Sequence, residues 1–155
     1  MALVRPGGAG GPPLVTDFVT GLRQPHDLVF HTIGGTTYVY VSESNQINRY
    51  VWHTGDLTGQ NREVVITGLP DASTPELKGN YGHQLKNIAL DGNHKLYVSI
   101  ASTCNACLSD TQSDPVRGPP TSTPPMVRAA ASSPAGYATL RAWPLFRVPI
   151  RCGWP

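Results

Sequence analysis

The chain is poor in charge. Of its 155 residues only 14% are Asp, Glu, Lys or Arg, with Lys and Arg exceeding Asp and Glu by a net +2. No Lys/Arg cluster or stripe occurs, so the electrostatic footprint of a nucleic-acid binder is missing. Long apolar runs are also missing. No segment reaches the length of a membrane span, and "MALVRPGGAGGPPLV" at the start has no apolar core of a signal peptide. As written, the chain is expected to stay in the cytoplasm, without nucleic-acid or membrane partners. A sustained period of 3.6 is absent too, which leaves little room for helices.

Cysteine is scarce, at three residues. Cys104 and Cys107 form one Cys-x-x-Cys in "CNAC", and Cys152 stands alone. A zinc site would need two more ligands, and no second such pair or His-x-x-x-His exists. A thioredoxin-like pair belongs at the start of a helix, whereas "SIASTCNACLSDTQSD" reads as strand and then loop. A loop-closing disulfide between Cys104 and Cys107 is the expectation. It implies an oxidising compartment for the native protein.

What is present is a series of short strands. "LVTDFVTGL", "HDLVFH", "TTYVYVSES", "QINRYVW", "REVVITGL", "QLKNIAL" and "HKLYVSIAS" alternate or run apolar and β-branched between turn residues. Asp91-Gly92 between the last two predicts a hairpin. The strands also repeat. "FVTGLRQPHDLVF…YVYVSE" and "VITGLP…GHQLKNIAL…LYVSIAS" share one order: a strand ending in Gly-Leu, a loop with His, an apolar strand, a turn, then Tyr-Val. The spacing between Gly21-Leu22 and Gly68-Leu69 matches one propeller blade, about 40–50 residues. The predicted fold is all-β, a partial β-propeller of about two blades. Residues 1–13 are expected to be disordered, 14–117 to form the arc, and 118–155 to be an unstructured tail.

"GHQLKNIALDGNHKLYVSIASTCNAC", preceded by "YVYVSESNQINRYVW", resembles the glucose/sorbosone dehydrogenase family, and most of all its sorbosone dehydrogenase-like branch. The likeness covers Asp17 to about Arg117. It implies a six-bladed quinoprotein propeller that oxidises an aldose or aldehyde with pyrroloquinoline quinone, usually alongside calcium, in the periplasm or outside the cell. The family's general base, a His at the head of a strand, falls on His83. Imidazole suits that role, because its unperturbed pKa of roughly 6.5 keeps it neutral near pH 7. Gln84, Lys86 and Asn87 are expected to line the cofactor side of the same strand. No metal ligand is assigned, since the family's calcium ligands belong to later blades. His26 is placed at the equivalent position of the preceding repeat, with a structural role. His31, His53 and His94 are read as surface residues, and Trp52 and Tyr97 as core. Ala101 in "SIAS" departs from the family's Gly and puts a Cβ where backbone approaches closely.

After Arg117 the alternation stops, in "RGPPTSTPPMVRAAASSPAGYATLRAWP". The family continues there with an alternating strand, "ADG", a Gly-x-Arg-Asn motif and "GLA". The codons of this tail, read two bases later, permit "YVYPADGSGGRLFARGIRNAEGLA" and, from the last residues, "VPGTDTLWVA". Codon degeneracy permits this reading without forcing it. The expectation is a frameshift near Arg117–Gly118, which makes Cys152, Met126, Trp143 and Trp154 accidental and the chain itself an inactive fragment. A Pro/Ala-rich disordered tail is the plainer alternative. Two other functions fit a propeller arc. One is a non-catalytic module that binds a partner across its loops. The other is a lactonase-type hydrolase, for which Asp27, Glu43 and Asn45 are the available groups.

Overall fold

The computed structural model describes residues 1–79 and 81–103, together with the backbone of Met126–Ala129. Nine strands form three antiparallel sheets, with no α-helix among the described residues. β1 (Ala2–Arg5) and β2 (Leu14–Asp17) make a hairpin. β3 (Leu28–Ile33), β4 (Thr36–Ser42), β5 (Gln46–Val51) and β6 (Gln60–Thr67) make a four-stranded meander in chain order. β7 (Ile88–Leu90), β8 (Leu96–Ser99) and β9 (Met126–Ala129) make the third sheet. Three-residue 3-10 turns sit at Gly8–Gly10 and Pro75–Leu77.

The four-stranded sheet is a propeller blade held between neighbours on both faces. Cross-strand partners share a face, so Val39, Val41 and Tyr50 point one way and Tyr40 and Ile47 the other. The first set packs with Phe18 and Val19 under the β1–β2 hairpin. The second packs with Ile88, Leu96, Val98 and Ile100 of the next sheet. A strand buried on both faces needs β-branched and aromatic residues throughout, and "TTYVYVS" supplies them. Each large apolar side chain so buried contributes about 1.5–3 kcal/mol.

Turn chemistry sets the register of both inner hairpins. Gly34 and Gly35 hold φ of 56° and 82°, the left-handed pair that a two-residue hairpin turn requires. The β7–β8 hairpin forms where Asp91-Gly92 predicts it, but differently. Asp91 Oδ1 accepts the N–H groups of Asn93 and Lys95, each at 2.9 Å. The left-handed residue there is His94, φ 61°, and not Gly92.

The structure departs from the expected boundaries at both ends of the arc. Ala2–Arg5 is a strand, not disordered: it pairs in register with Leu14–Asp17, and the Met1 carbonyl accepts the Phe18 N–H at 3.0 Å. Four residues between a start and a Pro-Gly turn are too short to read by periodicity. Within the expected tail, Met126–Ala129 pairs with β8. The remaining tail residues, and Cys104 and Cys107 with their expected disulfide, lie outside the described residues.

Candidate functional site

The two repeats superimpose through hydrogen bonds. Ahead of β3, Asp27 N–H donates to Ser42 Oγ at 2.9 Å, and Ser42 N–H returns to the Asp27 carbonyl at 2.9 Å. Ahead of β7, Asn87 N–H donates to Ser99 Oγ and Ser99 N–H to the Asn87 carbonyl, again at 2.9 Å each. Asp27 therefore matches Asn87, and His26 matches Lys86. This corrects the placing of His26 opposite His83. Counting back from the matched pair, Arg23 stands opposite His83. The second loop, from Gly68 to Asn87, is longer than its counterpart. The extra chain carries the Pro75–Leu77 turn.

That longer loop is built around a buried carboxylate. Gly68, φ 74°, lets the chain leave β6, and Leu69 is buried with its N–H on the Asn45 carbonyl. Asp71 is 1% exposed. It accepts from Ser44 Oγ at 2.9 Å, Ser73 N–H at 2.8 Å and Ser73 Oγ at 2.6 Å, and pairs with the Arg23 guanidinium at 3.2 Å. Burial pushes its carboxyl up, but the Ser73 and Ser44 hydrogen bonds and Arg23 outweigh it, leaving it below the ordinary range. Sequence reading missed this hub, because an Asp after Leu-Pro looks like an ordinary turn residue.

His83 sits on the exposed side of the loop, where Nδ1 lies 3.1 Å from the Ser102 carbonyl. A carbonyl only accepts, so Nδ1 carries the proton. Nε2 is left with its lone pair, and it has no hydrogen-bond partner among the described residues. That is the tautomer a general base requires. Tyr81, buried beside it, donates its hydroxyl to the Ala101 carbonyl at 2.6 Å. Ala101 and Ser102 thus hold the two aromatic side chains that flank Gly82.

The other three expected site residues turn inward or stand apart. Gln84 Oε1 accepts the Ala72 N–H at 3.0 Å, pinning the loop to itself. Lys86 is fully buried. Its ammonium donates to the Gln84 carbonyl and lies 5.0 Å from the Tyr81 ring centroid. Burial lowers its pKa to about 8, partly offset by the Asp71 carboxylate. Lys86 therefore braces the loop from inside and lines no open surface among the described residues. Asn87 is exposed at the head of β7. Across the seam, Ile88 N–H donates to Asp27 Oδ2 at 2.9 Å and Ser42 Oγ to the Lys86 carbonyl at 2.7 Å. The two blades are stitched together directly behind His83.

Both carboxylates of the hydrolase set are committed elsewhere, while the third group, Asn45, has a buried side-chain oxygen with no hydrogen-bond partner among the described residues. Asp27 is held by the Leu28 and Ile88 N–H groups. Glu43, 1% exposed, accepts from the Arg23 N–H, Gln46, Asn48 and Arg62. No group of three His, Cys, Asp or Glu poised for a metal occurs among the described residues. Trp52 and Tyr97 are half-buried: Trp52 packs edge-on to Phe30 at 5.1 Å, and Tyr97 donates to Asp91 at 2.9 Å.

No protein-family model matches the chain, and no curated protein sequence does either. Solved structures do. The calcium structure of a Trichoderma reesei enzyme of carbohydrate-active enzyme family AA12 superimposes with a TM-score of 0.56 at 18% identity, over 88% of this chain and 34% of that one. The iodide structure of the same family's enzyme gives a TM-score of 0.53 at 18% identity, over 76% and 28%. The pyrroloquinoline quinone domain of a Coprinopsis cinerea pyranose dehydrogenase gives 0.43 at 11% identity, over 65% and 33%, too low to establish shared topology. The chain thus spans about a third of the length of the structures it matches, and its fold is all-β, a partial β-propeller.

Proposed function

We propose that the chain is part of a pyrroloquinoline-quinone-dependent dehydrogenase of the sorbosone/glucose type, acting on an aldose or aldehyde, with His83 as its general base. The observation that carries this reading is the fixed Nδ1–H tautomer of His83 on the exposed side of the loop that leads into β7. The sequence resemblance from Asp17 to Arg117 and the propeller fold support it. The intact protein is assigned to the periplasm or the exterior, where a Cys104–Cys107 disulfide would persist.

The described residues fit the base side of such a site and not the whole of it. Lys86 is buried and Arg23 is paired with Asp71. The anionic carboxylates of the quinone, and calcium, would therefore be held by residues beyond this arc. When bound, the quinone supplies the hydride acceptor. His83 Nε2 takes the proton of the substrate hydroxyl, or of a hydrated aldehyde. The Ser102 carbonyl fixes the ring orientation and stabilises the imidazolium that results. Lys86, Gln84 and Asp71 hold the loop from which His83 projects.

The expressed chain itself is inactive on this reading, because its frame after Arg117 lacks the Arg-Asn element of the family. The test is to sequence the genomic DNA across the codons for Asp114 to Pro144. An open shifted frame yields a protein to be loaded with quinone and calcium and assayed on sugars and aldehydes. Should the frame stand as written and the full chain still reduce a dye with quinone, the proposed dependence on the missing motif is wrong.

A further inference from the structure

We propose that His31 and His94 form a proton-sensitive clasp across the seam between the two blades. His31 lies on β3 of the first blade and His94 on the β7–β8 turn of the second. Their rings meet edge to face with centroids 5.0 Å apart, and His31 Nε2 lies 2.7 Å from His94 Nδ1. At that separation one nitrogen must donate and the other accept. The contact exists only while at least one ring is neutral. Once both are protonated, two cations face each other and the bond is lost.

The surroundings favour the neutral state. The His31 pKa lies below its ordinary value, through burial first and then the neighbouring His94, with the Asp91 carboxylate pulling the other way. Lys95 shares the turn with Asp91 and His94. On the first blade the cross-strand partner of His31 is Tyr38, whose ring carries the Arg49 guanidinium at 4.4 Å. Positive charge thus stands on both sides, with Asp91 opposing it.

The sign follows from linkage. Below the ordinary histidine pKa of about 6.5 the unfolded chain takes a proton that the folded His31 refuses. The clasp's contribution is therefore complete above that pH and is lost as the pH falls below it. The backbone is arranged for the contact: His94 occupies a left-handed conformation, φ 61°, in a loop pinned by Asp91.

The test uses the full chain labelled with nitrogen-15, titrated from neutral to acid, with His31→Gln and His94→Asn as variants. Asn tolerates the left-handed backbone, so His94→Asn removes the ring without straining the turn. Imidazole nitrogen shifts should show His31 titrating below the ordinary value, and rising towards it in His94→Asn. Amide exchange in β3 and β7, corrected for intrinsic rates, should accelerate several-fold on acidification in the parent and stay flatter in both variants. A His31 that titrates at the ordinary value in the parent overturns the proposal, and an unfolded chain would give that same result. An acid response unchanged by His94→Asn overturns it as well.

Discussion

The loops leading into β3 and β7 share one scaffold and differ in what they carry. In both, a serine on the following strand closes a reciprocal pair with the residue ahead of the inner strand, Ser42 with Asp27 and Ser99 with Asn87. The first loop is short and gives Arg23 at the place where the second gives His83. Arg23 turns its guanidinium to the Asp71 carboxylate of the second loop, and so serves its neighbour's structure. The second loop is longer, has a buried carboxylate and a buried lysine of its own, and leaves His83 exposed. A repeated framework thus fixes position, and the extra chain in one copy is where chemistry becomes possible.

The comparison breaks most severely at His83. In a frame-restored, quinone-loaded protein, His83→Gln is expected to lower kcat by about 10²–10⁴, the usual range for a lost general base. His26→Gln, a change in the first loop, should leave kcat within about twofold, since His26 is exposed and level with Lys86. Rate measurements on the two variants, side by side, decide it. Next in size is the shared core. Leu96→Ala, at a position 0% exposed between the blades, should cost about 2–5 kcal/mol in denaturant unfolding.

Lys86 gives the comparison a pH axis. Its pKa falls from 10.5 to about 8 on burial, so between those values the unfolded chain binds the proton that the folded chain has released. Stability should therefore rise as the pH climbs from about 8 to 10.5, by about 3 kcal/mol. Lys86→Met should remove that rise, as followed by urea midpoints across the range. The serine pair gives the smallest contrast. Ser42→Ala breaks bonds to Asp27 and, across the seam, to the Lys86 carbonyl, and should cost about 1–3 kcal/mol. Ser99→Ala breaks one bond within its own blade among the described residues, and should cost about 1 kcal/mol.

Much of the scaffold was legible in the sequence because it rests on period and turn chemistry. "TTYVYVS" reads as a doubly buried strand, and the glycines of the two Gly-Leu pairs share the left-handed conformation, φ 68° and 74°, though only Gly68 directly follows a strand. His83 was singled out through its surrounding string. Its tautomer was not legible, since the Ser102 carbonyl comes from a strand end 19 residues away. The misplacing of His26 came from aligning histidines across loops of unequal length; the "YVS" that ends at Ser42 and again at Ser99 carried the correct register. The burial of Lys86 was not legible, because a lysine in "QLKN" gives no sign of it and it depends here on Tyr81 and Gln84 folding over the side chain. The contact between His31 and His94 spans 63 residues with no spacing motif and is visible only once the blades are packed.

The most direct measurement is kcat for the frame-restored, quinone-loaded protein, run beside His83→Gln with the fold of both checked by circular dichroism. The account predicts that the folded variant loses most of the rate, by about 10²–10⁴. A folded variant that keeps the rate would contradict the assignment of His83 as the base.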